Sequence, residues 1–89
     1  MVICKRVTYA GRVQGVGFRY TTQRVAQSFA VTGYVKNLPT GEVELVAEGE
    51  AAEVESFLAA VARRMAHYIE QTREADEPAC GHREFSIRH

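Results

Sequence analysis

With 89 residues the chain has the length of one domain, enough for a modest single core and too little for two. Apolar residues make up 46% and charged residues 25%, an ordinary globular composition rather than a disordered or membrane-embedded one. Eleven basic and eleven acidic side chains cancel, which removes the long-range pull toward nucleic acid or an acidic membrane surface.

No apolar run reaches the length of a membrane span or a signal h-region, because Met1-Val2-Ile3-Cys4 is at once interrupted by Lys5-Arg6. A cytoplasmic protein is therefore expected. Cys4 and Cys80 lie near opposite ends, without a Cys-x-x-Cys or Cys/His ligand spacing. Two thiols in a reducing compartment is the simple reading; a disulfide between them requires their Cα atoms to come within reach.

In chain order, Ile3 to Val13 alternates, with Val7, Tyr9, Gly11 and Val13 on one parity and Cys4, Arg6, Thr8 and Arg12 on the other. That pattern predicts a strand with one buried face. From Arg19 to Ala30 the apolar residues Val25, Ala26 and Phe29 follow Phe18 near helical spacing and predict an amphipathic helix. Val31 to Leu38 is a second strand, with Gly33, Val35 and Asn37 in one register. Leu38-Pro39-Thr40-Gly41 carries turn chemistry. Glu42 to Gly49 alternates again, with Val43, Leu45 and Ala47 inward and Glu42, Glu44 and Glu48 outward. Ala51 to Met65 is a second helix with a Val54, Phe57, Leu58, Val61 and Met65 stripe; acidic residues open it and Arg63-Arg64 close it, as the helix dipole favours. A strand over His67 to Glu74, a polar loop over Ala75 to Arg83 and a short strand over Glu84 to Arg88 complete the chain.

The order β-α-β-β-α-β, with a fifth strand, leaves two one-sided helices needing a common surface. An α+β sandwich of ferredoxin-like split βαβ type supplies it: an antiparallel sheet of four to five strands with both helices on one face. Right-handed crossovers make the first two strands parallel, with the third antiparallel between them.

Between the first strand and the first helix lies Gly11-Arg12-Val13-Gln14-Gly15-Val16-Gly17-Phe18-Arg19. Gly15 and Gly17 permit backbone conformations that other residues resist. A turn of this kind feeding a helix leaves the main-chain N–H groups of Gln14, Gly15, Val16, Gly17, Phe18 and Arg19 available to an anion, helped by the positive end of the helix dipole. Arg19 adds a permanent charge and a planar fork suited to two phosphate oxygens. The local chemistry fits both a phosphate cradle and a tight structural turn. It is not a P-loop, which needs Gly-Lys-Ser/Thr, nor a dinucleotide fingerprint, which needs a third glycine.

Because the first two strands are parallel, their carboxyl ends share one edge of the sheet. Asn37, on the parity of Val35, then faces the side where Arg19 begins its helix. Residue chemistry alone leaves Asn37 two readings, a site residue or a turn residue that bonds its own backbone. Thr22 likewise fits either a brace behind Arg19 or a solvated or capping hydroxyl. His67, His82 and His89 lack a metal-ligand spacing, and no Ser/His/Asp or Cys/His set is present.

The first stretch resembles the acylphosphatase signature G-x-V-Q-G-V-x-F-R at Gly11, Val13, Gln14, Gly15, Val16, Phe18 and Arg19. The family's second block, G-x-V-x-N-x-x-x-G-x-V, is matched at Gly33, Val35, Asn37, Gly41 and Val43. This resemblance implies a small single-domain acylphosphatase with a ferredoxin-like fold, one domain over 1–89. Such an enzyme hydrolyses small acyl phosphates to a carboxylate and inorganic phosphate. In that likeness Arg19 and the 14–19 amides bind the phosphoryl group and Asn37 orients the attacking water. No metal and no cofactor is expected. Inorganic phosphate would be product and inhibitor, the protein a monomer, and neither nucleic acid nor membrane a partner. Two other classes stand beside it: a non-catalytic small-anion-binding module, and an RNA-binding module using the open sheet face. The second wants stacking aromatics where this chain has Arg6, Thr8, Glu44 and Val46.

Overall fold

The computed structural model describes residues 1–79 and 81–89. Its elements are β1 (Val2–Gly11), α1 (Phe18–Ala26), β2 (Thr32–Asn37), β3 (Val43–Glu50), α2 (Ala51–Arg64), β4 (Ile69–Glu77) and β5 (Phe85–Arg88). The strands form one sheet in the order β4-β1-β3-β2-β5. β3 runs antiparallel to both β1 and β2, so those two are parallel to each other with β3 between them. The expected split βαβ core is therefore present. β5 adds to β2 in parallel, making the sheet mixed rather than wholly antiparallel.

Period-two burial explains the strands. Val7 and Tyr9 of β1, Val35 of β2, and Val43, Leu45 and Ala47 of β3 are buried on the face that both helices cover. Phe18, Val25 and Ala26 of α1 and Val54, Phe57 and Val61 of α2 close over them. Phe57 is fully buried, with ring centroids 6.0 Å from Phe29 and 5.4 Å from Phe85. Truncating a residue so enclosed costs about 3–5 kcal/mol. The contact with Phe85 ties β5 to α2, while of the two helices β5 packs mainly against α1.

Most element ends fall within a residue or two of the sequence pattern, and three boundaries shift for an identifiable local reason. α1 stops at Ala26 because the N–H groups of Gln27, Ser28 and Phe29 bond the carbonyls of Arg24, Val25 and Ala26. Those i→i−3 bonds tighten the last turn and leave Phe29 outside the α-helix. β4 starts at Ile69 because Tyr68 and Ile69 both donate to Met65 O, forming a turn through His67. It runs on to Glu77, through residues expected in a loop, because cross-strand ion pairs hold it to β1: Lys5 to Asp76 at 2.6 Å and Arg6 to Glu77 at 3.1 Å. Such a charge-rich edge strand also resists pairing with other chains.

After β4 the chain passes over the sheet face that the helices leave open. The main-chain N–H of His82 donates to Glu48 Oε1 at 3.0 Å, and the His82 ring lies 5.8 Å from Tyr34. Glu48, expected on a solvated face, is therefore buried at 6% exposure. Beside it the Tyr34 hydroxyl donates to Glu44 at 2.8 Å. Burial first, then this bond to a carboxylate, pushes the Tyr34 phenol up to about 12. Cys4 is buried on this face as well. The question of its pairing with Cys80 lies outside the described residues.

Candidate active site

β1 ends at Gly11, and the chain turns through residues 12–17 before α1 begins. Gly15 and Gly17 take φ values of +77° and +80°, the left-handed region that glycine enters without a side-chain penalty. Gly17 is the N-cap of α1, and no side chain caps the helix. The first helical bond runs from Thr21 N–H to Gly17 O at 2.9 Å. Among the described residues, no partner is recorded for the main-chain N–H groups of Gln14, Gly15, Val16, Gly17, Phe18 or Arg19. A row of open donors at a helix start is the kind of feature that favours an anion.

A cleft of about 270 Å³ opens at this turn, just below the ~300 Å³ at which sites for drug-sized ligands begin. Gly15, Gly17, Arg19 and Asn37 line it, together with Tyr20, Ile87 and His89. Arg19 reaches toward β5: its Nη1 donates to Arg88 O at 3.1 Å and meets His89 Nδ1 at 3.2 Å. A guanidinium only donates, so in this contact His89 Nδ1 is the acceptor. The hydrogen bonds of Arg19 among the described residues use Nη1 alone, which leaves Nη2 and Nε without a protein acceptor there.

Asn37 ends β2, and its Cα pairs with that of Val43. Val43 pairs on its other side with Tyr9 of β1. One residue of β3 thus stands between the strand that enters the glycine turn and the strand that carries Asn37. Two strand spacings, about 10 Å, separate them. The turn after Asn37 is closed by Leu38 N–H to Glu42 O at 2.8 Å and Gly41 N–H to Leu38 O at 3.1 Å. No hydrogen bond of the Asn37 side chain is recorded among the described residues, so the turn does not depend on that side chain.

Of the residues the sequence singled out, Gly15, Gly17, Phe18, Arg19 and Asn37 line one cleft, while Gln14 and Val16 do not line it. Thr22 stands apart. It is fully buried, does not line the cleft, and its hydroxyl has no hydrogen-bond partner among the described residues. Val16 is half-buried against the core, which anchors the turn from behind. Ile87 and His89 were not anticipated at the site. The Phe85/Ile87 alternation marks a strand, but only the parallel pairing of β5 with β2 carries it to the cleft. Among the described residues no group of three His, Cys, Asp or Glu is placed to hold a metal ion, and no helix is long and apolar enough to cross a membrane.

The structure is a small α/β open sandwich with a glycine-rich turn between β1 and α1 that lines a cleft together with Arg19 and Asn37. The family model for acylphosphatase matches residues 5–87. The chain is 40% identical over 88 residues to the acylphosphatase of Methanospirillum hungatei, covering 94% of this chain and 97% of that one. It is 42% identical over 88 residues to that of Methanothrix thermoacetophila, covering 98% of both. The crystal structure of acylphosphatase from Bacillus subtilis superposes with a TM-score of 0.88 at 35% identity over the whole of both chains. This chain belongs to the acylphosphatase family, whose members are hydrolases of acyl phosphates.

Proposed function

We propose that the protein hydrolyses the carboxyl–phosphate bond of small acyl phosphates without a metal. In this reading the 14–19 amides and Arg19 hold the phosphoryl oxygens, and Asn37 holds the attacking water. The observation that carries it is one cleft lined by the glycine turn, by the Arg19 guanidinium, and by an Asn37 side chain that makes no hydrogen bond among the described residues.

The substrate's chemistry suits so sparse a site. An acyl phosphate is a mixed anhydride whose leaving group is a carboxylate with a pKa of about 4–5, near that of a free Asp or Glu. It departs unprotonated at neutral pH, so no general acid is needed for it. The water oxygen bonds to phosphorus as the phosphorus–acyl oxygen bond breaks, and that electron pair leaves with the carboxylate. The water's proton ends on a phosphate oxygen of the substrate itself. The protein's work is to position the reactants and gather the charge on the equatorial oxygens, which the cradle and Arg19 do. Asn37 offers a carbonyl oxygen to the water and thereby aims its lone pair at phosphorus. Inorganic phosphate, which presents the same oxygens, is product and competitive inhibitor. A monomeric, cytoplasmic enzyme accompanies this reading.

Phosphate release from benzoyl or acetyl phosphate in the presence of a chelator tests the proposal. Turnover undiminished by chelator and inhibited competitively by phosphate supports it. Phosphate binding without turnover would leave only an anion-binding module. For an RNA partner nothing speaks: Arg6, Thr8 and Glu44 occupy the central open face, and His82 lies over Tyr34.

A further inference from the structure

The glycine turn and the Asn37 turn come from distant parts of the chain, and one side chain joins them. Gln14 Nε2 donates to Leu38 O at 2.8 Å and to Glu42 O at 2.8 Å. These two carbonyls flank the mouth of the β2–β3 turn. Leu38 O also accepts from Gly41 N–H, and Glu42 O from Leu38 N–H. Each oxygen therefore receives two donors, its full capacity, and both amide protons of Gln14 are used. The orientation of the amide is forced, because its own oxygen turned toward two carbonyls would meet only acceptors.

Leu38 directly follows Asn37, and Gln14 is the first residue of the row of open N–H groups. A displacement of either turn would change the gap between bound phosphoryl group and water. We propose that Gln14 is a positioning residue for hydrolysis: its side-chain amide bolts the phosphate cradle to the Asn37 turn and so sets the line of attack. The cradle itself is formed by main chain and glycine conformation, so it does not need this amide to bind an anion. The proposal rests on the role given to Asn37 above.

Gln14→Met keeps the length and shape and removes both donors. With benzoyl phosphate its kcat falls on the order of 10- to 100-fold, the scale of a reacting group misplaced by about 1 Å. The inhibition constant of inorganic phosphate stays within about 3-fold, because the cradle is intact. The double variant Gln14→Met/Asn37→Ala is no slower than Asn37→Ala alone, since Gln14 acts through Asn37. Multiplying effects in the double variant, or a loss of phosphate binding matching the loss of kcat, overturns the proposal. If Asn37→Ala costs rate and Gln14→Met does not, the positioning role fails and the functional reading stands. If Asn37→Ala leaves kcat unchanged, both fail. A measurement on the unaltered protein covers a variant that does not fold. The Gln14 side-chain amide protons should exchange slowly with solvent and show through-space contacts to the Leu38–Glu42 turn; a freely averaging amide refutes the proposal.

Discussion

Replacing Asn37 by alanine separates its two sequence readings, because they place the loss in different measurements. The residue terminates β2, and its main-chain pairing with Val43 survives the substitution. The β2–β3 turn is closed by main-chain bonds from Leu38 and Gly41, neither of which involves the Asn37 side chain. The side chain is half-buried at the cleft and has no recorded protein partner to abandon. Stability should therefore change by no more than about 0.5 kcal/mol, the range of substitutions away from structural features. Phosphate binding should also hold, since the 14–19 amides and Arg19 are untouched. The rate is where the loss appears: removing one transition-state positioning group costs about 3 kcal/mol, or roughly a 100-fold drop in kcat. Urea unfolding, phosphate inhibition and kcat on benzoyl phosphate, all on the same preparation, decide the matter. A variant destabilised by about 2 kcal/mol that kept its kcat would make Asn37 a turn residue and refute the reasoning.

Other perturbations probe the surroundings. Gly17→Ala meets no neighbouring atom within 4 Å, so its penalty is conformational alone: about 1–2 kcal/mol for a left-handed residue, read by thermal unfolding, with weakened phosphate binding as the cradle relaxes. An unchanged Tm and phosphate affinity would show that the turn tolerates a side chain. Thr22→Val exchanges an unpartnered buried hydroxyl for a methyl group and should stabilise the fold by about 1 kcal/mol with kcat retained; a 10-fold loss of kcat would place that hydroxyl in the catalytic arrangement. The raised phenol of Tyr34 makes the folded state hold its proton more tightly than the unfolded chain. Its contribution is complete below pH 10 and disappears as pH climbs toward about 12. Stability measured from pH 9 to 12 should fall, and Tyr34→Phe should flatten part of that fall; Tyr9, also raised by burial, accounts for a remainder.

What the sequence made legible was whatever repeats with the period of its element. Val7 and Tyr9, Val43, Leu45 and Ala47, and Val54, Phe57 and Val61 announce their buried faces because burial alternates as the backbone does. Arg19 and Asn37 could be brought together on paper because parallel strands put their carboxyl ends on one edge. β4 was harder: its partners are charges on β1, and Glu70 to Glu77 carries no apolar stripe to count. Ile87 and His89 depend on which strand β5 joins, a long-range pairing that no local pattern records. Glu48 looked solvated because alternation tells which face a residue takes, not what later crosses that face. The Gln14 side chain leaves no local signal for a similar reason, since its two acceptors lie 24 and 28 residues away.

The shared partnership of Tyr9 and Asn37 with Val43 makes the middle strand a ruler. A gauge graduated in peptide units keeps its scale whatever side chains hang from it. Exchanging Leu45 or Val35 for another aliphatic residue can loosen the interior while the opening between arginine and asparagine keeps its width. Sequences in this family can therefore drift widely beneath the helices without retuning the chemistry at the rim.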